Sequence, residues 1–142
     1  MNQNKEVLNS ILKTSQMGQT GIRAVQKYAV KSELKNELST QLKEYHNIET
    51  EAQELAAQRG LTLEDLHPVT KAMSASWAKM NLKMGSVDSK IAAMMINGNT
   101  RGMVKGLKNA HKYRKQDQMV SKLGERLLKT EESNIKQMQG YL

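Results

Sequence analysis

Cysteine and phenylalanine are absent from the 142 residues, proline and tryptophan occur once each, and tyrosine occurs four times. Without cysteine there are no disulfides, thiolate metal sites or cysteine nucleophiles. Long apolar stretches are missing too: the longest strictly apolar run is IAAMMI, from Ile91 to Ile96. A membrane-spanning helix needs roughly 20 such residues. The opening MNQNKEVLNSILK also lacks the sustained apolar core of a secretion signal. A soluble, cytoplasmic protein is therefore expected. Alternating runs of β-branched or aromatic residues are lacking as well, which argues against strands. The length fits a single domain able to bury a real core.

What is present is basic charge and helical periodicity. Lys and Arg number 22 against 14 Asp and Glu, for a net charge of +8. Nine of the basic residues fall in one segment: Arg101, Lys105, Lys108, Lys112, Arg114, Lys115, Lys122, Arg126 and Lys129. Opposed only by Asp117 and Glu125, they give that segment +7 of the total. Such a field attracts nucleic acid, an anionic membrane surface or an acidic protein. A solvated helical face carries the same charges, and Tyr113 is the only aromatic interleaved among them.

Apolar residues recur in steps of three and four almost throughout, so the chain reads as all-α. Leu8, Ile11, Ser15, Gly18, Ile22, Val25 and Ala29 predict a helix from about Asn4 to Val30. Ser32 reads as an N-cap with Glu33 in the first turn of a second helix, whose stripe is Leu34, Leu38, Gln41 or Leu42, Tyr45, Ile48, Ala52 and Leu55. Gly60 stands where a C-terminal cap glycine belongs. Thr62 and Asp65 resemble a capping pair, and Pro68 can only begin or break a helix. Val69, Met73, Trp77, Met80 and Met84 then share one face, predicting a shorter helix from Pro68 to Met84 that Gly85 ends.

Ser86 and Asp88 begin the next helix, predicted from Val87 to about Tyr113 with Ile91, Met95, Gly98, Gly102 and Gly106 along its stripe. Asn97-Gly98-Asn99-Thr100 is also a strong turn signal and leaves open a break there. Continuity would give about 39 Å, matching the other long helices. The last helix, about Lys115 to Gln139, carries Val120, Leu123, Leu127, Glu131, Asn134 or Ile135, and Met138. Two hairpins of long helices joined by a long crossover give a ferritin-like four-helix bundle with a short extra helix in the crossover.

Six glycines lie inside these predicted helices, each costing about 1 kcal/mol relative to alanine. Gly98, Gly102 and Gly106 share a face, and Gly18 with Gly21 forms a second bare patch. Close approach of the first and third long helices would explain them, as would a groove that admits a ligand or partner helix. Ten methionines describe a compliant core; Met73, Met80 and Met84 fit core spacing, or a binding surface that Trp77 would report.

A ferritin-like bundle raises the di-iron site, which needs inward glutamates and two Glu-x-x-His pairs. Neither Val7 to Ser32 nor Ser89 to Gln116 contains an acid, and Glu-x-x-His does not occur. His46 with Glu49 comes nearest, in reversed order and beside the apolar stripe, and reads as a surface or boundary pair. His67 and His111 are scattered, and no nucleophile elbow, HExxH or phosphate loop is present. The periodicity places Ser15, Gln41, Glu131 and Asn134 inward, where they could form a hydrogen-bonded layer that fixes helix register.

SKIAAMMINGNTRGMVKGLKNA (Ser89 to Ala110) and LGERLLKTEESNIKQMQGYL (Leu123 to Leu142) resemble the C-terminal half of an uncharacterised family of small ferritin-like bacterial proteins of spore-forming Gram-positive anaerobes. Ile91, Ala92, Met94, Gly98 and Gly102 carry the likeness in the first stretch, and Leu127, Leu128, Glu131, Asn134, Ile135 and Leu142 in the second. The resemblance implies the four-helix fold and a bacterial source but no substrate; relatives in the wider superfamily bind iron or serve in spore coats. The expected function is a non-enzymatic structural or protein-interaction module, without cofactor, that self-associates or binds a protein partner. Polyanion binding through the basic segment and an atypical ferritin-like metal site are the alternatives.

Overall fold

A computed structural model describes residues 2–66, 86–115 and 117–142. They form four long helices: α1 (Gln3–Val25), α2 (Ser32–Gln58), α3 (Val87–Lys112) and α4 (Gln118–Gln139). No strand occurs among the described residues. The expected crossover helix, with Pro68, Met73, Trp77, Met80, Met84 and Gly85, lies outside them, as does His67.

Helix α1 packs on α2 and α3 on α4, with α2 against α4 and α1 against α3. Leu8, Ile22, Leu34, Leu38, Ile48, Ile91 and Val120 are completely buried at the shared centre. These are the positions the three-and-four spacing assigns to the interior. No described helix is long and apolar enough to cross a membrane.

Aspartates tie the two ends of the bundle. At one end the Asp88 carboxylate of α3 accepts hydrogen bonds from the Val30 and Lys31 amides, at 2.7 and 3.0 Å. Those amides are thereby taken from α1, which ends at Val25 and continues only as a 3₁₀ turn over Gln26–Tyr28, short of the predicted Val30. The cap of α2 moves as well: Lys31 holds the N-cap position and Ser32 is already helical. Because Asp88 is buried and bonds two otherwise unmatched donors, Asp88→Ala should lower the unfolding free energy by about 2 kcal/mol. Urea denaturation would measure it.

At the opposite end, Asp117 is the N-cap of α4, accepting from the Val120 amide at 3.0 Å. It also receives Arg59 from the end of α2 and Asn4 Nδ2 from the start of α1. The Arg59 hydrogen bond holds the Asp117 carboxyl below its usual range, against a smaller opposing effect of burial. The Lys115 and Asp117 amides bond Gln3 and Asn4 side chains rather than helical carbonyls. Helix α4 accordingly begins at Gln118 and not near Lys115.

Two expectations at helix ends hold. Gly60 has φ +64°, and the Gly60 and Leu61 amides return to the Ala57 and Ala56 carbonyls in a Schellman closure of α2. Helix α3 runs unbroken through Asn97-Gly98. There Asn99 and Thr100 bond back to the Met95 and Ile96 carbonyls, so their side chains stay with the helix instead of forming a turn. Since α2 ends beside the start of α4 while α3 starts beside the start of α2, residues 59 and 87 stand at opposite ends of the bundle.

Candidate functional site

The middle of the bundle is polar. Ser15, Gln41, Glu131 and Asn134, the four residues the periodicity places inward, are all buried. They do not bond into one layer. Gln41 reaches Gln137 at 2.9 Å, and the Ser15 hydroxyl has no hydrogen-bond partner among the described residues. The bonded cluster is instead Tyr45 from α2, Asn99 from α3, and Glu131 and Asn134 from α4.

Within it the Tyr45 hydroxyl lies 2.6 Å from Asn99 Oδ1 and 3.2 Å from Glu131 Oε2. Asn134 Nδ2 donates to the same Asn99 oxygen at 3.2 Å. A phenol has one proton to give, and an amide oxygen can only accept. With the Tyr45 proton on Asn99, a protonated Glu131 completes the chain by donating to the phenol oxygen. Burial favours that state, pushing the Glu131 carboxyl up to about 8 against a smaller opposite pull from Tyr45. Tyr45 in turn is held neutral by burial first and by Glu131 second. Glu131 is 2% exposed, and its Oε1 has no partner among the described residues.

Neither Tyr45 nor Asn99 stands out for chemistry in the sequence. Tyr45 sits on an apolar stripe and Asn99 inside a turn signal. The available clue is the four-residue step from Met95 to Asn99, which continues the stripe of α3.

The glycines depart from expectation. They do not bring α1 against α3. A Cβ on Gly18 would sit 2.5 Å from Cε2 of Tyr45, on α2. One on Gly102 would overlap the Glu131 carboxyl, and one on Gly106 would lie 2.9 Å from Leu128 Cδ2, both on α4. Each of these three glycines is a notch for a side chain of its own hairpin partner. Gly21 and Gly98 have nothing within 4 Å. A groove of about 450 Å³ does run between α1, α3 and α4, with Gly102, Gly106 and Gly124 along it and Glu131 in its lining.

His46 and Glu49 lie 3.7 Å apart, with His46 62% exposed. Glu49 turns inward to α1, accepting from Gln16 and Gln19 at 2.8 and 2.9 Å. Its oxygens are thus engaged by amides, as a boundary residue's would be. Among the described residues, no group of three or more His, Asp and Glu is placed to hold a metal ion.

The nine basic residues separate into two sets. On α4, Arg126 pairs with Glu44 at 2.9 Å and with Glu51, both from α2, and the Glu44 hydrogen bond raises its affinity for its proton. Lys122 and Lys129 line the same charged groove of about 640 Å³ between α2 and α4. On α3, Arg101, Lys105, Lys108 and Lys112 are exposed and form no ion pair among the described residues. Arg114 and Lys115 follow them, also exposed. Val104 and Leu107 lie among these cations, 47% and 48% exposed.

Comparison with protein-family models, curated proteins and solved structures finds no match for this chain.

Proposed function

We propose that the protein is a non-enzymatic helical bundle that works as a protein-interaction module, docking through the outer face of α3. One observation carries this reading: Val104 and Leu107 stand exposed amid Arg101, Lys105, Lys108 and Lys112, none of which has an acidic partner among the described residues. Exposed apolar side chains beside a row of cations suit an acidic amphipathic surface. Helix α2 is acidic, with six glutamates against two lysines, and of these Glu33 and Glu54 stand exposed outside the Arg126 ion pairs. A second copy of the chain is therefore the partner proposed first. An α3-to-α2 contact is head-to-tail and would build rings or open chains of molecules. That geometry fits a structural role.

The proposal includes the ferritin-like assignment and kinship with the uncharacterised bacterial family. What supports them is two hairpins of long helices whose connection joins opposite ends of the bundle. Nucleic-acid binding by the same α3 cations, with Arg114 and Lys115 extending the row, is the second reading.

Sedimentation velocity at low and high salt separates these. Association that weakens with salt and disappears in a variant with Arg101, Lys105, Lys108 and Lys112 changed to Glu supports the module. A protein that stays monomeric at low salt but binds duplex DNA, losing affinity steeply as salt rises, supports the second reading and removes the first. Val104→Ser with Leu107→Ser should weaken self-association at least about tenfold, since roughly 1.4 kcal/mol of lost apolar contact gives that factor.

A further inference from the structure

We propose that the groove between α1, α3 and α4 is a small-molecule site for an elongated, mostly apolar primary amine whose ammonium group is received by Glu131 Oε1. The site is separate from the outer face of α3. Its volume of about 450 Å³ is in the range of ligand sites, about 300 to 1,000 Å³. Between Ser121 and Glu131, both in its lining, α4 advances about 15 Å, so the space is long rather than round.

The chemistry of the lining selects the ligand. Val7, Ile11, Leu127 and Leu128 supply apolar wall between Ser10, Thr14, Asn109 and Ser121, and Gly102, Gly106 and Gly124 leave room between them. Glu131, at the inner end, is only 2% exposed, yet its Oε1 accepts no hydrogen bond among the described residues. An oxygen so placed lacks a donor. An ammonium supplies the donor and a charge that stabilises the carboxylate within apolar walls. An alcohol supplies the donor alone, and a carboxylate ligand supplies neither a donor nor a compensating positive charge.

The proton balance is explicit. The free protein holds Glu131 protonated at neutral pH; binding converts it to carboxylate paired with ammonium, and the displaced proton passes to the buffer. Other titratable groups nearby are Tyr45, which faces the carboxyl from α2, and His111, Arg114 and Glu125 in the groove lining. Helix α1 lines it with Val7, Ser10, Ile11 and Thr14, none of them titratable.

The test is calorimetric titration of the full chain with n-octylamine at pH 7, in two buffers of different ionisation enthalpy. Saturable one-to-one binding with release of close to one proton is expected, weaker binding of n-octanol, and none of octanoate. Glu131→Gln should abolish the proton release and weaken binding by more than about tenfold. Gly124→Leu fills the groove where a Cβ meets only Ile11 Cδ1, at 3.8 Å, so it should fold and fail to bind. Reversal of the α3 charges should leave octylamine binding intact, which keeps this test independent of the docking proposal. Absence of saturable binding to wild type, or binding unchanged in both Glu131→Gln and Gly124→Leu, overturns the inference.

Discussion

Glu131→Gln should abolish a loss of stability that the wild-type protein undergoes between about pH 4.5 and pH 8. The Glu131 carboxyl is raised from 4.5 to about 8 by burial. Below the lower value both folded and unfolded chains hold the proton, and the buried neutral acid costs nothing extra. Between the two values the unfolded chain releases its proton while the folded chain keeps it. The unfolded state then binds fewer protons, so stability falls as pH rises, and the fall ends once the folded carboxyl also ionises. A difference of this size corresponds to roughly 5 kcal/mol. The glutamine amide of the variant has nearly the same shape and can donate to the Tyr45 oxygen, but it does not titrate. Unfolding free energies from urea titrations at pH 5 and pH 9 should therefore be similar for the two proteins at pH 5, within about 1 kcal/mol. At pH 9 the variant should be the more stable by several kcal/mol.

Alanine at two glycines of α3 should produce effects of opposite sign. Gly98→Ala meets nothing within 4 Å, so it should gain about 1 kcal/mol from helix propensity alone. At Gly102 the new methyl group would occupy the space of the Glu131 carboxyl, which is buried and fixed by Tyr45. Overpacking of that kind costs about 1 to 3 kcal/mol, and displacing the carboxyl from its one hydrogen bond adds about 1 to 3 kcal/mol more. Net destabilisation of about 1 to 5 kcal/mol is expected after the helix gain is subtracted. Thermal unfolding of the two variants side by side would show one midpoint rising and the other falling. Gly18→Ala should follow Gly102→Ala, because the Tyr45 ring fills its notch.

These outcomes mark where the sequence was legible. Periodicity located much of the interior of the described helices, including the polar Ser15, Gln41, Glu131 and Asn134, but it carried the α3 stripe to Gly98, which is exposed, and passed over the buried Asn99. It located as much as it did because a side chain's direction on a helix depends only on its position in the turn. Helix ends were less legible, since they depend on partners distant in the chain. Asp88 shortens α1 from 58 residues away, and Asn4 helps set the start of α4 across 113 residues. The glycine spacing showed that backbone was bare. Whether another backbone, a side chain or solvent would meet it depends on which helix lies opposite. The basic segment reads as one field in the sequence, but the α2 glutamates engage Arg126 of α4, while the α3 cations have no acidic partner among the described residues.

The same distinction applies to the chemistry. The acid-poor spans of α1 and α3 are visible in the sequence, and they remove the ligand pattern of a di-iron bundle. The one acid among the described residues that enters the centre, Glu131, was legible as inward-facing. Its protonation depends on having Tyr45 and two asparagines for neighbours instead of cations or further carboxylates. The cluster around this acid joins α2, α3 and α4 by hydrogen bonds. Glu131 Oε1 has no hydrogen-bond partner among the described residues, and Glu131 contributes to the lining of the glycine-bearing groove.

Nuclear magnetic resonance titration of the Glu131 side-chain carboxyl carbon in metal-free protein, from pH 4 to pH 10, tests this centre most directly. A midpoint near 8, with the Glu131→Gln spectrum assigning the resonance, is the expected result. A midpoint between about 4 and 5, the range of an ordinary glutamate, would mean that the carboxyl is ionised at neutral pH, and the neutral hydrogen-bonded centre described here would be wrong.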